Sequence, residues 1–95
     1  MIQITVSSNV INKMAYTIKD LITQIDNPDN YVLSLQLDYR DNNTIFYLKN
    51  VKHIKFEKKW LEIQQENNSH VFFDYKHILE YCVLNAEDVI DLGGL

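Results

Sequence analysis

The residues after Ser7 repeat apolar side chains at three- and four-residue spacing, which is typical of a helix with one buried face. The apolar positions are Val10, Ile11, Met14, Ile18, Leu21, Ile22 and Ile25. Ser7-Ser8-Asn9 is a run of residues that cap helix N-termini, and Pro28 disfavours helical geometry in the residue before it. The pattern therefore predicts a helix from Val10 to Ile25.

Other segments alternate apolar and polar residues, which is typical of a strand with one face in a core. Tyr31 to Arg40 alternates throughout, and Asp41-Asn42-Asn43 predicts a turn into a second strand from Thr44 to Leu48. Shorter strands are predicted at residues 2–6, 52–57, 60–65, 70–74 and 78–84. A short helix from Tyr75 to Leu84 is an alternative for the last of these.

These segments predict an α+β fold with the order β-α-β-β-β-β-β, in which an N-terminal strand and one amphipathic helix pack on a curled antiparallel sheet. A half-barrel is a variant of this fold, because a meander of six short strands tends to curl. The length of 95 residues predicts a single domain, 1–95. We expect residues 85–95 to form an acidic tail, with one helical turn from Ala86 to Ile90.

Glycine is scarce in the chain, and Gly93 and Gly94 are its two copies. Backbone loops that hold phosphate groups need glycine for a positive φ angle and for close approach to the ligand. The sequence contains no P-loop, no dinucleotide-binding fingerprint and no nucleophile elbow. We therefore expect a protein that has no cofactor and is not an enzyme.

The cysteine content and the hydropathy pattern bear on the compartment. The single Cys82 cannot form a disulfide within the chain, and no apolar run approaches the length of a membrane span. We therefore expect a cytoplasmic protein without a membrane partner. The abundance of Asn, Ile, Lys and Tyr suggests an AT-rich genome, such as that of a low-GC bacterium or its phage.

The sequence gives only weak support for two candidate chemical sites, a metal site and a nucleophilic cysteine. His70, Asp74 and His77 are near one another, but on a strand His70 and Asp74 lie about 13 Å apart, too far to chelate one metal ion. Cys82 with His77 or His53 as its base would need a basic, partly exposed setting, and its apolar neighbours predict a small core residue instead. No metal site and no catalytic residue are predicted.

Charge is distributed unevenly along the chain. Residues 47–60 hold five lysines against Glu57, a balance of +4, whereas residues 61–95 hold seven acidic side chains against Lys76, a balance of −6. The whole chain carries a net charge of −4. Such asymmetry is a physical argument about binding partners and electrostatic steering.

The leading hypothesis from this pattern is a small acidic, non-enzymatic protein-interaction module. It would act as an inhibitor from a phage or mobile element, as an immunity factor or as a regulator, because acidic surfaces can occlude basic grooves. An enzyme subunit with no chemistry of its own is not separable from it by sequence. The expected protein-binding residues are acids and exposed tyrosines, namely Asp74, Tyr75, Glu80, Tyr81, Glu87, Asp88 and Asp91.

The alternative hypothesis is a domain that binds RNA or single-stranded nucleic acid through the 47–60 segment. Aromatic side chains would stack bases and lysines would contact phosphates, with Tyr47 and Phe56 adding aromatic surface. The residues expected in that interface are Lys49, Lys52, Lys55, Lys58, Lys59 and Trp60. A competing explanation is that these lysines lie on solvent-exposed edge strands, where their charge discourages pairing with other chains. A homodimer formed by edge pairing is a further expectation that the sequence leaves open.

Overall fold

The computed structural model describes residues 7–39 and 42–92. The strand predicted at residues 2–6 lies outside them. The elements are α1 (Ser8–Gln24), β1 (Tyr31–Tyr39), β2 (Asn42–Leu48), β3 (Val51–Phe56), β4 (Trp60–Gln65), β5 (His70–Asp74), the 3₁₀ helix η1 (Tyr75–His77), β6 (Ile78–Asn85) and the 3₁₀ helix η2 (Ala86–Leu92). Six strands follow the helix among the described residues, one more than the order β-α-β-β-β-β-β counts. Each overlaps a predicted strand, but β2 begins at Asn42, inside the predicted turn, because Asn42 and Asn43 pair with Tyr39 and Asp38 of β1.

The amphipathic helix α1 is confirmed, and it begins two residues earlier than predicted. Ser7 is its N-cap, and the Ser7 hydroxyl accepts a hydrogen bond of 3.3 Å from the Val10 amide. Ile11, Met14 and Ile18 are its buried residues. The helix ends where Ile25 takes an extended conformation.

The α+β class is confirmed, but the described strands form two sheets, whereas the pattern predicts one curled sheet. Both sheets are antiparallel and three-stranded, with the orders β2-β1-β6 and β3-β4-β5. The last strand does not continue a meander from β5, because it returns to pair with β1 and places Val83 opposite Leu33. Residues 78–85 are therefore a strand, and the helical alternative for Tyr75 to Leu84 is limited to the short η1.

The connection between the two sheets is a tight corner after β2. Asn50 has a φ angle of 54°, a left-handed conformation that asparagine tolerates better than most residues. The Asn50 carbonyl accepts a 2.8 Å hydrogen bond from the Glu66 amide, and the Lys49 carbonyl accepts one of 2.8 Å from the Gln65 side chain. These bonds hold the corner against the end of β4.

Strand β1 is buried on both faces for part of its length, which differs from the one-sided burial that its alternation predicts. Leu33 and Leu35 on the inward face are fully buried, but Val32 and Ser34 on the opposite face are buried too. The reason is that β1 is the central strand of its sheet and that η2 contacts β1 and β6. In η2 the valine at position 89 is also buried, so the described part of the predicted tail packs against the sheet.

A hydrophobic core joins the helix and both sheets. It contains Ile18 of α1 together with Leu61 and Ile63 of β4. The Phe46 and Phe73 rings, one from each sheet, lie with their centroids 5.8 Å apart. No helix in the described part of the chain is sufficiently long and apolar to cross a bilayer. Both sheets turn one face to this core, and residues on their opposite faces are the candidates for function.

Candidate functional site

Two large aromatic side chains lie on the solvent side of the β3-β4-β5 sheet. Leu61 and Phe73 face the core, so alternation turns their neighbours Trp60 and Phe72 outward. Trp60 is 43% exposed and Phe72 is 56% exposed. Because strand faces turned to water normally carry polar residues, these two positions depart from the pattern of their strands.

Trp60 and Phe72 contact each other across the two strands. Trp60 is paired with Asp74 and Phe72 with Glu62, so the two aromatic residues are diagonal neighbours. Their ring centroids are 6.3 Å apart and the rings are nearly perpendicular, at 85°. This edge-to-face geometry contributes about 0.5–1.5 kcal/mol beyond area burial, and it favours one mutual orientation of the rings.

A second diagonal pair borders the aromatic one. The Glu62 carboxylate lies 2.8 Å from Nδ1 of His70. The Glu62 side chain is the more buried of the two. We call the surface formed by Trp60, Phe72, Glu62 and His70 the aromatic face. It presents an apolar centre beside a polar pair, as protein interfaces do.

The residues predicted to bind protein are spread over three places. Asp74 ends β5, where its carboxylate accepts a 3.1 Å hydrogen bond from the Lys76 amide and lies 3.6 Å from the Lys76 ammonium. Glu80 is exposed on β6, whereas Glu87 and Asp88 are exposed on η2. The side chain of Asp91 lies outside the described residues.

Two tyrosines that the sequence predicts to be exposed in that interface are buried or half-buried. The sequence predicts an exposed Tyr75, but this residue is only 5% exposed and belongs to the core cluster. Tyr81 is half-buried and packs against the same cluster, because it lies opposite Leu35 on β6. Of the predicted residues, Asp74 borders the aromatic face, since it lies opposite Trp60.

The lysine segment forms part of an edge strand and the turn after it. Lys52 lies where the β3–β4 register shifts, Lys55 lies opposite Glu62, and Lys58 and Lys59 make the turn into β4. These four lysines are exposed. The fifth predicted lysine, at position 49, is half-buried at the corner after β2.

The stacking surface predicted for nucleic acid is not assembled as the sequence suggests. Phe56 lies opposite Leu61 and packs against the core, and Tyr47 belongs to the other sheet. The aromatic neighbour of Trp60 on its own face is Phe72, which the sequence-based prediction omits. The sequence does contain a signal for this ring, namely the two consecutive phenylalanines at positions 72 and 73. Because consecutive strand residues face opposite sides of a sheet, one of the two must point away from the core.

Cys82 is exposed, and its prediction as a core residue is wrong. Its neighbours in β6 pack towards the core, so alternation turns Cys82 outward, opposite Ser34 of β1. Both residues line an open groove of about 210 Å³ together with Gln36, Ile45 and Glu80. The described lining of this groove contains no His, Lys or Arg, the cationic groups that activate a cysteine.

An acidic pocket of about 130 Å³ lies where η2 approaches the residues that follow α1. Asp26, Glu87 and Asp88 line it together with amide side chains, and the Asn85 amide oxygen accepts a 3.1 Å hydrogen bond from the Asp26 backbone. Among the residues that the structure describes, no three His, Cys, Asp or Glu side chains are arranged to hold a metal ion.

Tyr75 places an unusual polar group in the core directly after β5. Its hydroxyl is buried and has no hydrogen-bond partner among the described residues. Burial, and then the Glu57 carboxylate, raise the pKa of Tyr75 to about 12, because both disfavour the phenolate. The phenol is therefore protonated at neutral pH.

Comparison with known proteins gives no relative: no family model, no curated protein and no solved structure matches the chain. What the protein can do is therefore inferred from the chemistry of its own surface. The aromatic face combines a contacting pair of rings with the hydrogen-bonded Glu62 and His70, and Lys55 lies beside it, opposite Glu62. Such a surface is suited to binding a macromolecule through ring contacts bordered by charge.

Proposed function

We propose that the protein is a non-enzymatic protein-interaction module that binds its partner through the aromatic face. The exposed edge-to-face pair of Trp60 and Phe72 carries this proposal. Tryptophan is enriched among the residues that dominate binding energies, particularly where surrounding groups exclude water. A pair of rings that already contact each other also loses less side-chain entropy on binding.

The charges around the aromatic face indicate the chemistry of the partner. Glu62 is paired with His70, and Asp74 faces Lys76. The lysines at positions 55, 58 and 59 form no ion pair within the described part of the chain. These three lysines outnumber the exposed Glu57 of the same turn. The charge at this rim is therefore mainly positive, and a partner with an apolar pocket bordered by carboxylates fits it best.

The proposed interface lies away from most of the acidic residues that the sequence favours. Glu80 belongs to the other sheet and Glu87 to the 3₁₀ helix beside it, so neither extends the aromatic face. The biological role that we propose is that of an inhibitor, immunity factor or regulator. The exposed free thiol of Cys82 supports a reducing compartment such as the cytoplasm.

Affinity capture with matched variants tests the proposal. Trp60→Thr and Phe72→Thr remove the exposed rings while keeping a residue type that favours strands. Tyr16→Ser is the control, because Tyr16 is an aromatic residue that is 76% exposed on α1. We expect a protein from the host lysate to be retained by the wild type and the control and lost by both ring variants.

Titration of the captured partner gives the magnitude of the effect. Removing either ring should weaken binding by at least about 30-fold, which corresponds to a dominant interface residue. Equal affinity of the wild type and both ring variants would show that the aromatic face does not bind the partner. Circular dichroism of each variant checks that the fold is retained.

A second candidate function is single-strand nucleic-acid binding, favoured by the exposed lysines on β3 and in the turn beside Trp60. It predicts binding to a labelled oligonucleotide that weakens steeply with salt and is lost on Lys52→Glu with Lys55→Glu. The control is Lys13→Glu with Lys19→Glu, which makes the same charge change on exposed positions of α1. No binding at low salt, or a flat salt response, rejects this candidate.

A further inference from the structure

Within the part of the chain that the structure describes, β2 is an edge strand, and it carries no charge. Among the described strands it lies at one side of the β2-β1-β6 sheet. Its residues, Asn42–Leu48, include no Lys, Arg, Asp, Glu, Pro or Gly. Natural proteins normally protect an edge strand with charges, proline or a bulge, because an unprotected edge pairs with other chains.

The other edge strands of the described sheets carry such protection. Strand β3 has Lys52 and Lys55 and a register shift. Strand β6 contains Glu80, has a register shift near its start, and contacts α1. Strand β5 is five residues long and ends in Asp74. The absence of protection is therefore specific to β2 within this part of the chain.

We propose that β2 pairs antiparallel with β2 of a second copy of this chain, in a register centred on Ile45. A two-fold axis sets each residue of the strand opposite a residue of the same strand. On β3 a centred register would oppose Lys52 to Lys55 of the second copy, and like charges directly opposite are destabilising. On β2 it opposes no charges, so this edge suits a second copy of itself.

The centred register also gives a partner to an exposed apolar residue. Ile45 is 49% exposed at the edge of the sheet. In the dimer it packs against Ile45 of the second copy, and Tyr47 lies opposite Asn43 of that copy. Two three-stranded sheets become one six-stranded sheet, and both β2 edges are used, which closes the assembly at two chains.

Two other results are competing outcomes of the test. A dimer through β5 would bring Phe72 to the two-fold axis, so Phe72→Lys would then break the dimer. A wild type that stays monomeric at every concentration would show that the β2 edge does not accept a second copy. Either result overturns the proposal.

Sedimentation velocity of the full chain tests the proposal through a charge exchange. We expect a dimer of the 11.3 kDa chain for the wild type and for the control Phe72→Lys. Ile45→Lys and Ile45→Glu should each be monomeric, because the axis brings two like charges together. Mixing these two variants should restore a dimer, because opposite charges then meet at the axis.

The charge exchange separates the proposed register from loss of folding. A misfolded variant would not be rescued by mixing, and circular dichroism of each variant alone checks its fold. A dimeric Ile45→Lys variant, or folded monomeric variants that do not combine on mixing, overturns the register centred on Ile45.

Discussion

At the scale of single residues, the buried hydroxyl of Tyr75 is the clearest source of lost stability. It has no hydrogen-bond partner among the described residues, and an unsatisfied buried polar group costs about 1–3 kcal/mol. Tyr75→Phe should therefore raise the free energy of unfolding by about 1 kcal/mol, as measured by urea denaturation. Tyr16→Phe, at an exposed position, should leave it unchanged. A destabilised Tyr75→Phe variant would reveal a partner for the hydroxyl.

The same tyrosine makes stability depend on pH in the alkaline range. The pKa of Tyr75 is raised from 10.0 to about 12, so the folded protein holds the phenolic proton more tightly than the unfolded chain does. The contribution of this tighter proton binding to the free energy of unfolding is complete below pH 10.0 and is lost as the pH rises towards 12. Burial raises the pKa of Tyr31 as well, which adds to the loss.

The difference between the wild type and Tyr75→Phe isolates the contribution of this group. Thermal unfolding should show that the variant loses less stability than the wild type between pH 10.0 and about 12. Parallel loss in both proteins would mean that Tyr75 titrates at its ordinary pKa in the folded state.

At the scale of elements, the start of α1 offers a matched pair of substitutions. Ser7→Ala removes the hydroxyl that accepts the Val10 amide, and loss of an N-cap costs about 1 kcal/mol. Ser8→Ala is the control, because Ser8 is the first helical residue and is exposed. Urea denaturation should give Ser7→Ala a lower free energy of unfolding than both the wild type and the control. Equal destabilisation by both changes would contradict the capping role of Ser7.

The spacing of apolar residues predicts the helix and the strands well, because each of these elements is specified by residues that are close together in the sequence. The stripe that contains Ile11, Met14 and Ile18 specifies a helix locally, and the same holds for the alternation in β1. The pairing of β1 with β6 is not predictable in this way, because it joins Leu33 to Val83 through packing in the core. The contact of η2 with β1, which buries the second face of that strand, is equally invisible to periodicity.

At the scale of the whole molecule, the candidate site is only half visible in the sequence. The lysines beside Trp60 mark it as a candidate, whereas Phe72 comes close to it only when β4 and β5 pair. Charge counted along the chain groups Asp74 with Glu80, but folding places them in different sheets. Electrostatic balance along a sequence therefore says little about which charges share a surface.

The return of β6 to β1 has a consequence for the order in which the protein folds. The β3-β4-β5 sheet joins neighbouring strands through short connections, whereas β1 must wait for residues 78–85 before its second edge is filled. Contacts between distant segments form slowly, because loop closure costs entropy before any contact compensates it. During synthesis on the ribosome, we therefore expect β1 to expose an open edge and apolar leucines until β6 emerges. In that interval the nascent chain is at its most vulnerable to aggregation.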